Sequence, residues 1–153
     1  MTKQIRVMTA GSFDLFHYGH LNVLKKAKSF GTYLIVAVST DTLISQHKGM
    51  KPIICYKDRS SIIKELKCVD LVVRQSKLID IKQIQKLNID IYVLGDDWRT
   101  RTDNAGLNWL RKQNKVVFIP YTKRLSSTKI KNKIIRNSFE IIKSQVKRKI
   151  NAK

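Results

Sequence analysis

Ile5-Arg6-Val7-Met8-Thr9-Ala10-Gly11-Ser12-Phe13-Asp14-Leu15-Phe16-His17-Tyr18-Gly19-His20 reads as a strand that turns into a helix. Residues 5–10 are short and largely apolar, and Gly11 stands where the backbone must turn tightly. From Tyr18, the spacing of Leu21, Val23, Leu24 and Ala27 makes one apolar helical side, with Lys25, Lys26 and Lys28 toward water. Gly31 stops that helix, predicted over 18–30.

The alternation continues along the chain. Tyr33–Ser39 is a continuous apolar run rich in Val, as expected of a strand covered on both faces. Ser39 is followed by Thr40-Asp41-Thr42 and a polar loop. A helix is predicted over 58–67 with Asp58 as its cap, then a strand over 69–74 and a helix over 79–87. A fourth strand is predicted over 90–94, a helix over 103–113, a fifth strand at Val116–Ile119, and a helical pattern from Ser126 onward. Strands joined by helices give an α/β fold of Rossmann-like type, a five-stranded parallel sheet with helices on both faces. Ligands of such sheets bind beyond the carboxyl ends of the strands. There the sequence places Gly11 to His20, Gly95-Asp96-Asp97-Trp98 and the stretch after Ile119.

The 153 residues suit one domain, and 42% hydrophobic residues suit a packed one. No apolar run approaches the roughly 20 residues of a bilayer span, and no secretory leader pattern opens the chain. These two readings predict a cytoplasmic protein. Cys55 and Cys68 form no CxxC and are expected to be reduced, half-buried fillers. The net charge of +20 favours anionic partners. The lysines are spread along the whole chain and no nucleic-acid motif accompanies them, which favours small phosphorylated substrates over nucleic acid.

Two of the three histidines, His17 and His20, straddle the predicted helix start with Gly19 between them. A helix N-terminus is a ready anion site, and imidazoles there can donate to phosphate oxygens. This segment resembles the HxGH signature of the cytidylyltransferases, a branch of the nucleotidyltransferases. Further blocks in family order strengthen the resemblance: Lys48-Gly49 with Lys51-Pro52, Tyr56-Lys57-Asp58-Arg59, Val69-Asp70, Gly95-Asp96-Asp97-Trp98, and Ser126-Ser127-Thr128-Lys129-Ile130. The pattern, chiefly Gly95 to Trp98 and the short length, is most similar to the bacterial glycerol-3-phosphate cytidylyltransferases.

The resemblance implies in-line attack by the phosphate of a small phosphorylated alcohol on the α-phosphorus of CTP, with pyrophosphate leaving and CDP-glycerol or a related CDP-polyol formed. It implies His17, His20, Lys48 and Asp14 as catalytic residues, with Asp14 orienting its neighbours or assisting Mg²⁺. It implies Gly11, Ser12, Phe13, Gly19, Asp96, Ser126, Ser127 and Thr128 around the nucleotide, Arg59, Asp70 and Trp98 around the substrate, and a homodimer. The resemblance lapses at Tyr121-Thr122-Lys123-Arg124. Tyr121 stands where the family has arginine and Arg124 where it has glycine, so Lys123 and Arg124 are the cations left to meet the acceptor. Phosphocholine or phosphoethanolamine as acceptor, an adenylyl transfer like that of FAD synthetases, and a non-catalytic anion-binding module are the alternatives.

Taken without the resemblance, Arg59 could pair with Asp58 or Glu65, Asp96 and Asp97 could cap a turn, Trp98 could be core, and Ser126 could be an N-cap. The nucleotidyltransferase domain is predicted over 1–135 and a basic amphipathic extension over 136–153. Ile135, Phe139, Ile142, Val146 and Ile150 recur there at three- and four-residue spacing. This helix is expected to pack on its own domain or on a second subunit, with contact to an anionic membrane as the other reading.

Overall fold

The computed structural model describes residues 4–120, 122 and 125–151, the last four by their backbone alone. Five strands, β1 (Arg6–Gly11), β2 (Tyr33–Ser39), β3 (Leu71–Gln75), β4 (Ile91–Gly95) and β5 (Val116–Ile119), form one sheet in the order β3-β2-β1-β4-β5. Every pairing is parallel. The helices are α1 (Tyr18–Lys28), α2 (Asp41–Lys48), α3 (Tyr56–Lys64), α4 (Ile81–Lys86), α5 (Ala105–Lys112) and α6 (Ser127–Asn151). A 3-10 turn at Asp96–Trp98 follows β4.

The two sides of the central strands explain the layering. Val7 and Val93 face one way with Leu34, Val36 and Val38, and are covered by Leu24 and Ala27 of α1 and Ile63 of α3. Met8, Tyr92 and Leu94 face the other way with Ile35 and Ala37, and are covered by Ile84 of α4 and Leu107 and Leu110 of α5. Removing such aliphatic side chains from water stabilises by about 1.5–3 kcal/mol each. β2 is buried on both faces, as its unbroken apolar run predicts.

The leading edge of the sheet carries a repeated device. Asp90, just before β4, accepts the N–H of Arg6 at 2.8 Å, and Asp70, just before β3, accepts that of Leu34 at 2.6 Å. Each aspartate thus pins the start of the neighbouring strand. Asp70 also pairs with Lys28 at 2.5 Å. Burial works against its charge, but Lys28 and the Leu34 N–H outweigh that and hold the carboxyl below the usual range. Asp70 therefore sits at the edge opposite the carboxyl ends of the strands, which corrects its expected place in the substrate site.

The chain leaves β1 outward to β2 and β3, then returns to lay β4 against the other side of β1. The carboxyl ends of β1 and β4 consequently flank the topological switch point, where such sheets open a crevice. Gly11 ends β1 and Gly95 ends β4.

Candidate active site

Beyond Gly11 the backbone turns through two left-handed residues, Phe13 at φ 51° and Leu15 at φ 49°. Such non-glycine conformations cost about 1 kcal/mol each and gather at functional loops. The turn brings the Phe13 ring back beneath Gly11. A Cβ at Gly11 would lie 3.2 Å from that ring, a tight contact that the ring would have to yield to by a few tenths of an ångström.

His17 is the N-cap of α1, and its Nδ1 accepts the Gly19 N–H at 3.0 Å. His20 reaches back so that its Nδ1 accepts the His17 N–H at 3.4 Å, completing a capping box built from two imidazoles. An Nδ1 that accepts leaves the proton of a neutral imidazole on Nε2. Among the described residues both rings therefore keep Nε2–H as an unused donor at the positive end of α1. The rings stack with centroids 3.9 Å apart, and Phe16 and Phe13 hold His20 from two other sides. Gly19 is required by this packing, since a methyl there would lie 2.8 Å from the His17 ring.

Burial lowers the pKa of His17. It lowers that of His20 to about 4, helped by the neighbouring His17 and Lys48 and opposed by Asp14. Both histidines are accordingly neutral hydrogen-bond donors near pH 7. The folded pKa of His20 lies below its ordinary value of 6.5, so its contribution to stability is fully present above pH 6.5, declines as pH falls, and is gone below about 4. Urea unfolding between pH 7 and 4 should show this loss in the parent and a smaller one in His20→Asn; equal slopes would contradict the assignment.

Asp14 is buried at 4% exposure. Its carboxylate accepts the N–H groups of Ile53 and Ile54 at 3.1 and 3.0 Å, and Lys131 of α6 reaches it at 2.8 Å. Burial alone would raise its pKa, but Lys131 and the two N–H groups outweigh that and lower it. Ser127 donates to the Asp14 carbonyl at 2.6 Å, while Ser126 caps α6 by accepting the Lys129 N–H at 3.2 Å. The start of α6 is thereby fastened beside the start of α1, and Thr128 is exposed at its first turn. Two helix N-termini converge on the loop after β1.

Lys48, the last residue of α2, places its Nζ 3.5 Å from Ser12 Oγ. Gly49 ends the helix at φ 68°, where glycine is favoured, and donates to Ser45 at 2.9 Å. The segment after Ser39 is a helix and not the polar loop that its sequence predicts, and Thr40 caps it by accepting the Leu43 N–H.

Arg59 differs from expectation. Its side chain has no exposed surface. It donates to the carbonyls of Ser12, Ile54 and Ser39 and pairs with Asp41 at 2.5 Å. Asp41 in turn accepts the Tyr56 N–H at 3.2 Å. Arg59 thus ties the β1 loop, the end of β2, α2 and the 49–55 loop into one body, and has no donor presented to a substrate phosphate. The partner is Asp41, neither Asp58 nor Glu65. Asp58 is not the cap of α3 either. Cys55 occupies that place without accepting a helix N–H, its thiol donating to Asp58 at 3.3 Å, and it is exposed where a half-buried thiol is the expectation; Cys68 is partly buried.

Asp96 lies at the carboxyl edge, bonded to Arg99 at 2.9 Å. Trp98 packs against the α4/α5 side of the core with Arg101 over its ring, so most of its surface serves packing. Tyr121, Lys123 and Arg124 lie outside the described residues. The structure brings together Gly11, Ser12, Asp14, His17, Gly19, His20, Lys48, Ser126 and Ser127. Sequence reasoning missed Asp41 and Lys131. Asp41 had a signal in the Ser39-Thr40-Asp41 start of α2, whereas Lys131 had none among so many lysines.

No group of three His, Cys, Asp or Glu side chains among the described residues is arranged to hold a metal ion. The Asp14 oxygens are already taken by Ile53, Ile54 and Lys131. The donor set does not form a protein cage for Mg²⁺.

The profile of the Cytidylyltransferase-like family matches residues 8–133. The chain is 41% identical over 130 residues to a glycerol-3-phosphate cytidylyltransferase of Bacillus subtilis, covering 84% of this chain and 96% of that one. It is 37% identical over 142 residues to an FAD synthase of Thermococcus sibiricus, covering 90% and 95%. A solved lipopolysaccharide core biosynthesis protein of Thermoplasma volcanium has the same fold, with TM-score 0.64 and 32% identity over 80% of this chain and all of that one. By sequence and by fold, the chain belongs to the cytidylyltransferase-like family.

Proposed function

We propose that this protein is a nucleotidyltransferase that joins CTP and glycerol 3-phosphate to give CDP-glycerol and pyrophosphate. The observation that carries the reading is the pair of neutral histidines whose Nδ1 atoms are engaged by backbone N–H groups, leaving two Nε2–H donors between the N-termini of α1 and α6. The identity to the Bacillus subtilis enzyme over nearly its whole length supports CTP and glycerol 3-phosphate as the substrates.

In this reading a phosphate oxygen of the acceptor attacks the α-phosphorus of CTP, the bond to the β-phosphate oxygen breaks, and pyrophosphate leaves with the electron pair. Such a transfer needs positioning and charge stabilisation rather than a protein nucleophile. His17 and His20 donate to the phosphates as charge develops, and Lys48 adds a full positive charge from the far side of Ser12. Gly11, Ser12, Phe13 and Gly19 form the wall against which the triphosphate lies, with Ser126, Ser127 and Thr128 at the α6 end. Asp96 and Trp98 border the nucleotide or acceptor pocket at the end of β4. Asp14 orients the loop. Mg²⁺ bound to the triphosphate oxygens would neutralise part of their charge, and the described side chains add no cage of their own for it. The reading includes action in the cytoplasm, and the family resemblance adds assembly as a homodimer.

Pyrophosphate release with CTP or ATP, each against glycerol 3-phosphate, phosphocholine, phosphoethanolamine and FMN, tests the reading. CTP with glycerol 3-phosphate should exceed every other pair. Release only with ATP and FMN would move the chain to the FAD synthase branch.

A further inference from the structure

α6 has an unusual distribution of surface. It is anchored at its start by Ser127 and Lys131, and from Asn132 to Lys147 every residue is exposed. The helix does not cover its own domain there, which corrects one of the two packing arrangements expected from its sequence. Ile135, Phe139, Ile142 and Val146 follow one another at four-, three- and four-residue steps, which places them on one face over about 16 Å. They are 67, 68, 58 and 52% exposed. Ile134 and Ile141 are also exposed, but lie about a quarter turn round the helix, beyond Ser138 and Gln145.

Charge decides what covers it. Lys143 stands one turn from Phe139, and Lys147 one turn further, so a basic row adjoins the apolar stripe. Arg136 extends the row toward the domain, and Glu140, the one acidic residue of the described helix, stands at the row's outer margin between Arg136 and Lys143, away from the apolar stripe. A second copy of this chain would bring the same basic row, so pairing two such faces sets like charges side by side. An anionic lipid surface instead accepts the apolar stripe among its acyl chains while lysine and arginine stems extend to the headgroups. No helix among the described residues is long and apolar enough to cross a membrane, so α6 would lie along the surface.

We infer that the exposed face of α6 docks on an anionic lipid surface and holds the catalytic domain beside it. This goes beyond the proposed reaction, and its test does not depend on turnover. The full chain is sedimented with vesicles of pure phosphatidylglycerol and, separately, of pure phosphatidylcholine. It should pellet with the first and not with the second. Phe139→Asp with Ile142→Asp, shown by circular dichroism to stay folded, should lower the pelleted fraction at subsaturating lipid by about tenfold. Equal pelleting of parent and variant would overturn the inference, because the charge alone would then suffice. Absence of pelleting with phosphatidylglycerol would overturn it too. So would a dimer that the double variant splits while lipid binding is missing, since the stripe would then be a contact between copies.

Discussion

Replacing His17 by alanine is expected to lower kcat by at least about two orders of magnitude. The change removes the Nε2–H donor at the start of α1 and leaves the developing charge with one imidazole in place of two. It also removes the N-cap contact to Gly19, whose loss costs about 1 kcal/mol, too little to unfold a domain. His17→Asn separates the two effects. Asparagine caps a helix well, so this variant should regain the lost stability in urea unfolding while turnover stays low. Near-normal turnover by folded His17→Ala would remove the residue from the mechanism.

Arg59→Ala should be the most destabilising single change in the site loops, by about 3 kcal/mol in urea unfolding. The guanidinium is wholly buried and answers three carbonyls and one carboxylate at once. Its removal leaves the Ser12, Ser39 and Ile54 carbonyls without that donor and frees Asp41 from its partner. Because Ser12 belongs to the loop that carries His17, activity at low denaturant should fall as well. Arg59→Lys cannot span the same four acceptors and should recover only part of the stability. A variant with parental stability would show that the network contributes nothing and that Arg59 is free to serve a substrate.

The topology was legible because period and punctuation agree along the chain. Tyr33–Ser39 and Val116–Ile119 are strands with the bounds their apolar runs predict. The errors lie where tertiary contacts override local signals. Asp58 is the better capping residue, yet α3 begins at Tyr56 because Asp41 holds the Tyr56 N–H. α2 was passed over because it is eight residues long with only Leu43 and Ile44 buried, too little for a periodic pattern. Asp70 follows the family motif in sequence, but its position before β3 puts it at the leading edge, where it pairs with Lys28. Arg59 shows a different limit. In a chain with 31 lysines and arginines, a string of letters does not distinguish a buried guanidinium from a solvated one. His17, Gly19 and His20 were legible because the helix start, the close approach at Gly19 and the rarity of histidine all fall in four residues.

In the proposed reaction these residues serve cytidylyl transfer to glycerol 3-phosphate. Phosphorus NMR of the protein with CTP, glycerol 3-phosphate and Mg²⁺ tests it most directly. The two phosphorus signals of CDP-glycerol should grow in step with pyrophosphate, with no build-up of CDP or inorganic phosphate. Hydrolysis of CTP to CDP and phosphate, or unchanged substrates in the presence of folded protein that binds CTP, would contradict it.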